Sequence, residues 1–215
     1  NSDLKLLYSS GSQYAFPLVP LAMSVSRGGG FGRLDSNVEA WFVHSPGLKV
    51  VMPSSPADAK GLLKAAIRDD NPVLFFEHKQ LYRTRWPVPD EYRDPEHVGE
   101  LGKAAVRREG THITVVATLT MVHHALAAAA ALAPQGICVE VIDPRTLVPF
   151  DTDALVRSVR KTGRLLVVDE AYLNFGIQAE VIATVAERAF DALDVVRGAG
   201  RDLVEDELLR GATAQ

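Results

Sequence analysis

Oxygen-bearing residues cluster at a predicted helix end, where Asp69 and Asn71 precede Pro72. The last carbonyl groups of a helix lack intrahelical donors and lie at its negative end. Hard cations prefer oxygen ligands, so Ala66 and Ile67 could offer carbonyls, and Asp69 and Asn71 side-chain or main-chain oxygens. From the residues alone, an ordinary helix stop before Pro72 is the simpler interpretation.

Three other polar groups follow predicted strands, where the loops of an open parallel sheet collect function. Arg145 could pair with Asp143 or with a partner's carboxylate, and an ion pair that fixes its own loop is the simpler interpretation. Asp169 and Glu170 could do acid–base chemistry, although adjacent residues at a strand end point in different directions. His78 has no second ligand at metal spacing and is interpreted as a hydrogen-bonded structural residue.

The helix with the oxygen-rich end lies between two predicted strands. Residues 48–52 are short, apolar and β-branched, as a buried strand should be, and residues 73–76 form a second apolar run. Ser55 can cap the helix with Pro56 at its first position, and apolar residues recur at helical spacing over residues 57–68. A strand–helix–strand unit of this length predicts a parallel crossover.

The remaining chain continues the alternation of strands and helices. Further strands are predicted at residues 16–21, 113–118, 138–142 and 164–169 and around Val195 and Val196, and helices at residues 38–43, 119–133, 152–162 and 174–189. This pattern predicts the α/β class, with three-layer sandwiches and mostly parallel sheets. A polar, proline-rich connector places the domain boundary near residue 89, giving domains 1–89 and 90–215.

Composition excludes several classes of protein. The 215 residues are 47% hydrophobic and 23% charged, which is ordinary for a soluble protein, and a net charge of −4 gives no reason to expect nucleic-acid binding. The one cysteine, Cys138, lies in an apolar run and is expected to be a buried small hydrophobe. A single cysteine allows no disulfide framework. No apolar run has transmembrane length and Asn1 opens no signal peptide, so we expect no membrane partner. A single cysteine fits a reducing cytosol or a mitochondrial matrix, and of these we expect the bacterial cytoplasm.

Three runs of sequence carry a resemblance to a known family: EAWFVHSPGLKVVMPSSPADAKGLL, AAIRDDNPVLFFEHKQLYR and VEVIDPRTLVPFD. The chain resembles the beta subunits of the thiamine-diphosphate-dependent 2-oxo acid dehydrogenases of pyruvate, branched-chain and acetoin type, in the transketolase-like superfamily. The resemblance spans nearly the whole chain and begins in the middle of the family's first domain. It implies that residues 1–89 are the remainder of a pyrimidine-binding domain and that residues 90–215 resemble the transketolase C-terminal domain.

The resemblance also implies a reaction, cofactors and partners. The reaction would be oxidative decarboxylation of a 2-oxo acid, with transfer of the acyl group to a lipoyl arm. Thiamine diphosphate would be shared with an alpha subunit, which would also hold magnesium. The partners would be that alpha subunit, a second beta subunit and a lipoyl acyltransferase core. A potassium ion would bind at the helix end, with one more carbonyl from Leu18 beside those of Ala66, Ile67, Asp69 and Asn71.

One departure from the family pattern concerns activity. The family carries a histidine that faces the cofactor, and the matching position here is Leu34 or, with a one-residue gap, Asp35. Neither side chain replaces an imidazole near neutral pH, so no catalytic or cofactor-binding residue is assigned. Alternatives are a non-catalytic assembly subunit of the same fold, or a related thiamine-diphosphate enzyme such as acetoin dehydrogenase or a sugar-phosphate synthase. A hydrolase is disfavoured because no GxSxG nucleophile elbow occurs.

Overall fold

The computed structural model describes residues 21–25, 39–87 and 89–200, and for residues 21–25 only the backbone. The chain divides into two compact units. The first unit contains the chain up to Ala104 together with Pro144–Asp151, and the second contains Ala105–Asp143 and the chain from Thr152 onward. The chain therefore enters the first unit twice. The predicted boundary near residue 89 stays a prediction.

The described residues form nine strands and five α-helices. The strands are β1 (Leu21–Val25), β2 (Lys49–Val51), β3 (Val73–His78), β4 (Ala105–Arg108), β5 (Ile113–Ala117), β6 (Val139–Asp143), β7 (Thr146–Val148), β8 (Arg164–Val168) and β9 (Val195–Ala199). The helices are α1 (Glu39–Val43), α2 (Pro56–Arg68), α3 (Leu119–Leu132), α4 (Thr152–Thr162) and α5 (Ile177–Ala189). None of these helices is long and apolar enough to cross a lipid bilayer.

The first unit contains a four-stranded sheet in the order β1-β3-β2-β7. Strands β1 and β2 both run parallel to β3, and β7 runs antiparallel to β2. The parallel pairing of β2 with β3, across helix α2, confirms the predicted crossover. The core of this unit joins the sheet to α2 through the buried residues Val51, Leu62, Ala66, Val73 and Phe75.

Helix α2 begins and ends where its sequence predicts. Ser55 has an extended backbone, and its hydroxyl accepts a hydrogen bond of 3.1 Å from the N–H of Asp58. Pro56 occupies the first helical position, where no N–H is needed. At the other end Asp69 returns to an extended conformation. These caps fix both ends of the helix whose last turn is the candidate cation site.

The second unit contains a five-stranded sheet in the order β4-β6-β5-β8-β9. Strand β4 pairs antiparallel with β6, and the other pairs are parallel. The buried residues Val115, Ala129, Val139 and Val141 form a core between α3 and strands β5 and β6. Two sheets of mostly parallel strands with intervening helices confirm the predicted α/β class.

Three sequence expectations differ from the structure or lie outside it. The helix predicted from residue 174 begins at Ile177, because Phe175 has a left-handed φ of 59° and Gly176 is the extended cap. The predicted burial of Cys138 is wrong: the residue is exposed, since β6 begins at Val139 and Cys138 lies in the turn before it. The strand predicted at residues 16–21 lies outside the described residues apart from its last position, where β1 begins.

Candidate functional site

The last turn of α2 is held by a network centred on the Asp69 carboxylate. The N–H and the side-chain amide of Asn71 each donate to Oδ1 of Asp69 at 2.9 Å. The Lys49 ammonium, at the start of β2, lies 2.5 Å from Oδ2. Both carboxylate oxygens are therefore engaged by the protein, which fixes the turn that follows the helix.

The Asp69 carboxylate is ionised at neutral pH. Burial works to raise the pKa of Asp69, but the hydrogen bond from Lys49 and those from Asn71 outweigh it and hold the pKa below its ordinary value. The Asp69 N–H makes only a long contact of 3.4 Å with the carbonyl oxygen of Ala66. The helix thus ends in carbonyl oxygens beside a fixed negative charge, a setting that favours a cation.

Four of the five predicted cation ligands lie at this turn, and the fifth lies outside the described residues. Ala66 is buried, Asp69 and Asn71 are half-buried and Ile67 is 63% exposed. Leu18 falls among the residues that the structure leaves undescribed. Sequence analysis missed Lys49; a lysine opening an otherwise buried apolar strand is the signal that could have indicated it.

The first turn of α2 carries a second charged cluster. The Ser55 hydroxyl donates to Oδ2 of Asp58, and the Arg145 guanidinium donates to Oδ1 at 3.0 Å. Both side chains of this ion pair are largely buried, with exposed fractions of 11% for Arg145 and 1% for Asp58. The guanidinium of Arg107 donates to Oδ2 of Asp143 at 2.7 Å, and the pairing of Arg145 with Asp143 stays a prediction. The simpler interpretation of Arg145, an ion pair that fixes its loop, is confirmed with Asp58 as the partner.

His78, at the carboxyl end of β3, has the hydrogen-bonded role expected of it. Its Nδ1 accepts a bond of 3.2 Å from the N–H of Gln80, and the side chain is buried. The imidazole therefore carries its hydrogen on Nε2 when neutral. Among residues 39–87 and 89–200, no three His, Cys, Asp or Glu side chains are arranged to hold a metal ion.

Asp169 and Glu170 differ in their surroundings. Asp169 is buried and accepts hydrogen bonds from the Thr118 hydroxyl and, at 2.6 Å, from the N–H of Ala171. Glu170 is half-buried. The Asp169 carboxylate ties the ends of the neighbouring strands β5 and β8 together, so its contacts fit a structural role better than acid–base chemistry.

A polar network inside the second unit was not predicted from the sequence. The buried Glu140 carboxylate accepts hydrogen bonds from the Ser158 hydroxyl, the Lys161 ammonium and, at 3.2 Å, the N–H of Gly110. Burial works to raise the pKa of Glu140, but these bonds, with that of Lys161 the largest, hold it below its ordinary value. The pKa of Lys161 is correspondingly raised by its bond to Glu140. A glutamate within the apolar run of β6 was the available signal, because a buried charge needs a partner.

The Ser158 hydroxyl continues the network toward β5. It lies 2.6 Å from the Thr114 hydroxyl, which lies 2.7 Å from that of Thr162. These three hydroxyl groups join α4 to β5 within the core of the second unit.

The residues expected to face the cofactor, Leu34 and Asp35, lie outside the described residues. No geometry is therefore assigned to them, and the prediction that one of them stands at the position of the family's histidine stays a prediction.

Two family models match the chain, one in each half. The family described as "Transketolase, pyrimidine binding domain" matches residues 4–85, and "Transketolase, C-terminal domain" matches residues 102–201. Among solved structures, a "Split gene transketolase, inactive beta4 tetramer" matches with a TM-score of 0.66 and 25% identity, over 83% of this chain and 55% of that one.

Curated relatives include the beta subunits of two dehydrogenases and of an oxidoreductase. The chain is 44% identical over 203 residues to the 2-oxoisovalerate dehydrogenase subunit beta of Bacillus subtilis, covering 93% of this chain and 61% of that protein. It is 43% identical over 205 residues to the pyruvate dehydrogenase E1 component subunit beta of Rhizobium meliloti, covering 94% of this chain and 44% of that protein. It is 42% identical over 197 residues to the acetoin:2,6-dichlorophenolindophenol oxidoreductase subunit beta of Bacillus subtilis, covering 90% of this chain and 56% of that protein. The chain thus spans about half the length of these relatives.

Proposed function

Because the chain belongs to the transketolase-like family of thiamine-diphosphate-dependent enzymes, we propose that it serves as the beta subunit of the decarboxylating component of a 2-oxo acid dehydrogenase. The reaction is the oxidative decarboxylation of a 2-oxo acid, with transfer of the acyl group to lipoamide. The observation that carries this proposal is the identity of 42–44% to beta subunits over 90–94% of the chain. Its partners are an alpha subunit, a second beta subunit and a lipoyl acyltransferase core.

Thiamine diphosphate, when bound, supplies the electron sink that decarboxylation requires, and the protein supplies position and electrostatics. The alpha subunit would hold the diphosphate and its magnesium ion. In this chain the position that would face the cofactor is Leu34 or, with a one-residue gap, Asp35, and both lie outside the described residues. We assign no proton transfer to either side chain.

Co-expression with an alpha subunit of a bacterial 2-oxo acid dehydrogenase tests this function. We expect the two chains to co-purify, and the pair to bind thiamine diphosphate with magnesium in isothermal titration. The chain alone should bind none, because the diphosphate ligands lie on the partner. Micromolar binding of thiamine diphosphate by the isolated chain as a monodisperse monomer would overturn the proposal.

The second candidate is a non-catalytic assembly subunit of the same fold, favoured by the absence of histidine at residues 34 and 35. Leu34→His and Asp35→His, each made in the complex with the alpha subunit, distinguish the two candidates. Gain of 2-oxo acid decarboxylation by one variant supports a catalytic site that lacks its imidazole. A complex that assembles fully but stays inactive with both variants supports the assembly role.

We further propose a monovalent-cation site at the end of α2, formed by Ala66, Ile67, Asp69 and Asn71 with Leu18. The carbonyl oxygens of the last helical turn, which lack the usual intrahelical donors, and the lowered pKa of Asp69 support it. The Lys49 ammonium already bonds the Asp69 carboxylate, so main-chain oxygens would provide most of the ligands. Potassium suits such a site, since it needs oxygen ligands without a second negative charge.

Unfolding temperature in two chloride salts tests the cation site. The midpoint should be higher in potassium chloride than in an equal concentration of tetramethylammonium chloride, because an ion bound only by the folded state stabilises it. Asp69→Asn should reduce the difference, whereas Asp70→Asn, at the exposed neighbouring position, should preserve it. Equal midpoints of the unaltered chain in both salts would count against the site.

A further inference from the structure

The segment Pro144–Asp151 belongs to the first unit and contains the three-residue strand β7. The chain leaves the second unit after Asp143, contributes β7 to the edge of β2, and returns to the second unit at Thr152. Strand β7 pairs antiparallel with β2, with Val148 opposite Val50 and Thr146 opposite Val51. We call this segment the strap.

Arg145 anchors the start of the strap by both its backbone and its side chain. Its carbonyl oxygen accepts a bond of 2.8 Å from the N–H of Met52, which continues the strand pairing beyond β2. Its guanidinium donates to Asp58 at 3.0 Å and to the carbonyl oxygen of Lys103 at 2.9 Å. One side chain thus reaches both the first turn of α2 and the backbone of Lys103.

Two further side chains of the strap accept hydrogen bonds from the backbone on either side of Lys103. The Thr146 hydroxyl accepts a bond of 3.0 Å from the N–H of Gly102, and the Asp151 carboxylate accepts one of 3.1 Å from the N–H of Ala104. Thr146 is fully buried. The strap is therefore bound near its start, through β7 and at its last residue by groups of the first unit.

This arrangement has the features of strand addition, in which main-chain bonds provide affinity and side-chain contacts provide selectivity. The groove comprises the edge of β2, the first turn of α2 and residues 102–104. Without an occupant, the groove would contain the unpaired edge of β2 and the Asp58 carboxylate, which is 1% exposed, without its guanidinium. The groove is thus complementary to a short strand preceded by an arginine, whose backbone has a left-handed φ of 59°.

We propose that the first unit contains a peptide-binding groove, and that the strap is its intrachain ligand, selected by Arg145, Thr146 and Asp151. The groove binds the sequence PRTLVPFD as a separable ligand, so the same sequence supplied as a free peptide occupies it when the strap is removed.

The direct test uses the full chain with residues 144–151 replaced by glycine and serine at equal length. Its probe is a fluorescein-labelled peptide PRTLVPFD with blocked termini, followed by fluorescence anisotropy. We expect saturable binding of the peptide to the replaced chain. Its binding to the unaltered chain, whose groove is filled, should be at least about tenfold weaker. The peptide with Arg145→Gln should bind at least about tenfold more weakly, because it lacks the guanidinium that donates to the buried Asp58 carboxylate. Equal binding of a scrambled peptide would overturn the proposal.

Hydrogen exchange of the full chain provides a second test that does not require the replaced chain to fold. Arg145→Gln should speed exchange of the Met52 N–H about tenfold or more, because the strap opens more often. Arg160→Gln, which removes an exposed ion pair with Asp191 in the second unit, is the matched control and should leave that amide unchanged. An excess of free strap peptide should slow the exchange again in the Arg145→Gln chain. Absence of this rescue would overturn the proposal, because a merely structural arginine gives no peptide effect.

Discussion

Glu140→Gln tests whether the buried polar network contributes to the stability of the second unit. Glutamine has nearly the same shape as glutamate, so it creates no cavity. It removes the negative charge that accepts bonds from Lys161 and Ser158. The amide oxygen can still accept from the N–H of Gly110, and the amide nitrogen can donate to Ser158, so we expect a folded but less stable protein.

The size of the effect follows from the bonds that lose their charge. A hydrogen bond to a charged group contributes about 1.5–3 kcal/mol, against about 0.5–1.5 kcal/mol for a neutral one. The bonds from Ser158 and Gly110 change from charged to neutral, and the bond from Lys161 keeps its ammonium but loses the opposite charge. The Lys161 side chain is 40% exposed, so solvent already screens part of that ion pair. We expect the free energy of unfolding to fall by about 1–2 kcal/mol and the unfolding temperature by roughly 2–8 °C.

The pH dependence of this loss follows from the lowered pKa of Glu140. A carboxyl group whose pKa is lower in the folded state stabilises that state fully above its unfolded pKa, ordinarily 4.5. The stabilisation disappears as the pH falls through the lower folded pKa. The difference between the unaltered chain and Glu140→Gln should therefore be constant near neutral pH and shrink below about pH 4.5. Thermal unfolding followed by circular dichroism between pH 3 and 8 measures it.

Asp191→Asn is the matched control, because it removes a carboxylate of the same unit from an exposed pair. Asp191 lies 2.9 Å from Arg160, and both side chains are exposed. The control should change the unfolding temperature less than Glu140→Gln does. Equal stability of Glu140→Gln and the unaltered chain from pH 3 to 8 would refute the reasoning.

Two other predictions follow from the geometry of single residues. Gly102→Ala should destabilise the chain more than Gly136→Ala. Both positions have φ near 80°, which costs an alanine about 1–2 kcal/mol. Only at Gly102 would the new Cβ also lie 2.8 Å from Cγ of Pro149. Chemical denaturation compares them, and an equal loss of stability would show that Pro149 moves aside without cost. Cys138 is exposed, so a thiol reagent should modify one cysteine per chain without denaturant; modification only in denaturant would contradict that exposure.

Local signals predicted helix α2 and its flanking strands because the determining residues are neighbours in sequence. Ser55 caps the helix, Pro56 opens it and apolar spacing gives its buried face, so every cue lies within the element itself. The same locality explains the Cys138 error. An apolar run does not reveal where pairing with the next strand begins, and here it begins one residue later, at Val139.

Long-range partners could not be predicted in this way. Asp58 lies in the first turn of α2, but its partner Arg145 lies 87 positions away along the chain. Likewise Asp69 was placed at the helix end, while Lys49, which bonds its carboxylate, lies on another element. Strand β7 has only three residues and an antiparallel partner in the other half of the chain, so no periodicity indicates it.

The late arrival of β7 at the sheet has a consequence for synthesis of the chain. Roughly a hundred residues separate β2 from the strand that covers its edge, and ribosomes add about 5–20 residues each second. For roughly 5–20 s the nascent first unit therefore presents an uncovered β2 edge, on which strands of other nascent chains can pair. Slower translation between residues 52 and 144 lengthens that interval, so codon choice in this stretch should affect the yield of native protein more than codon choice after residue 152.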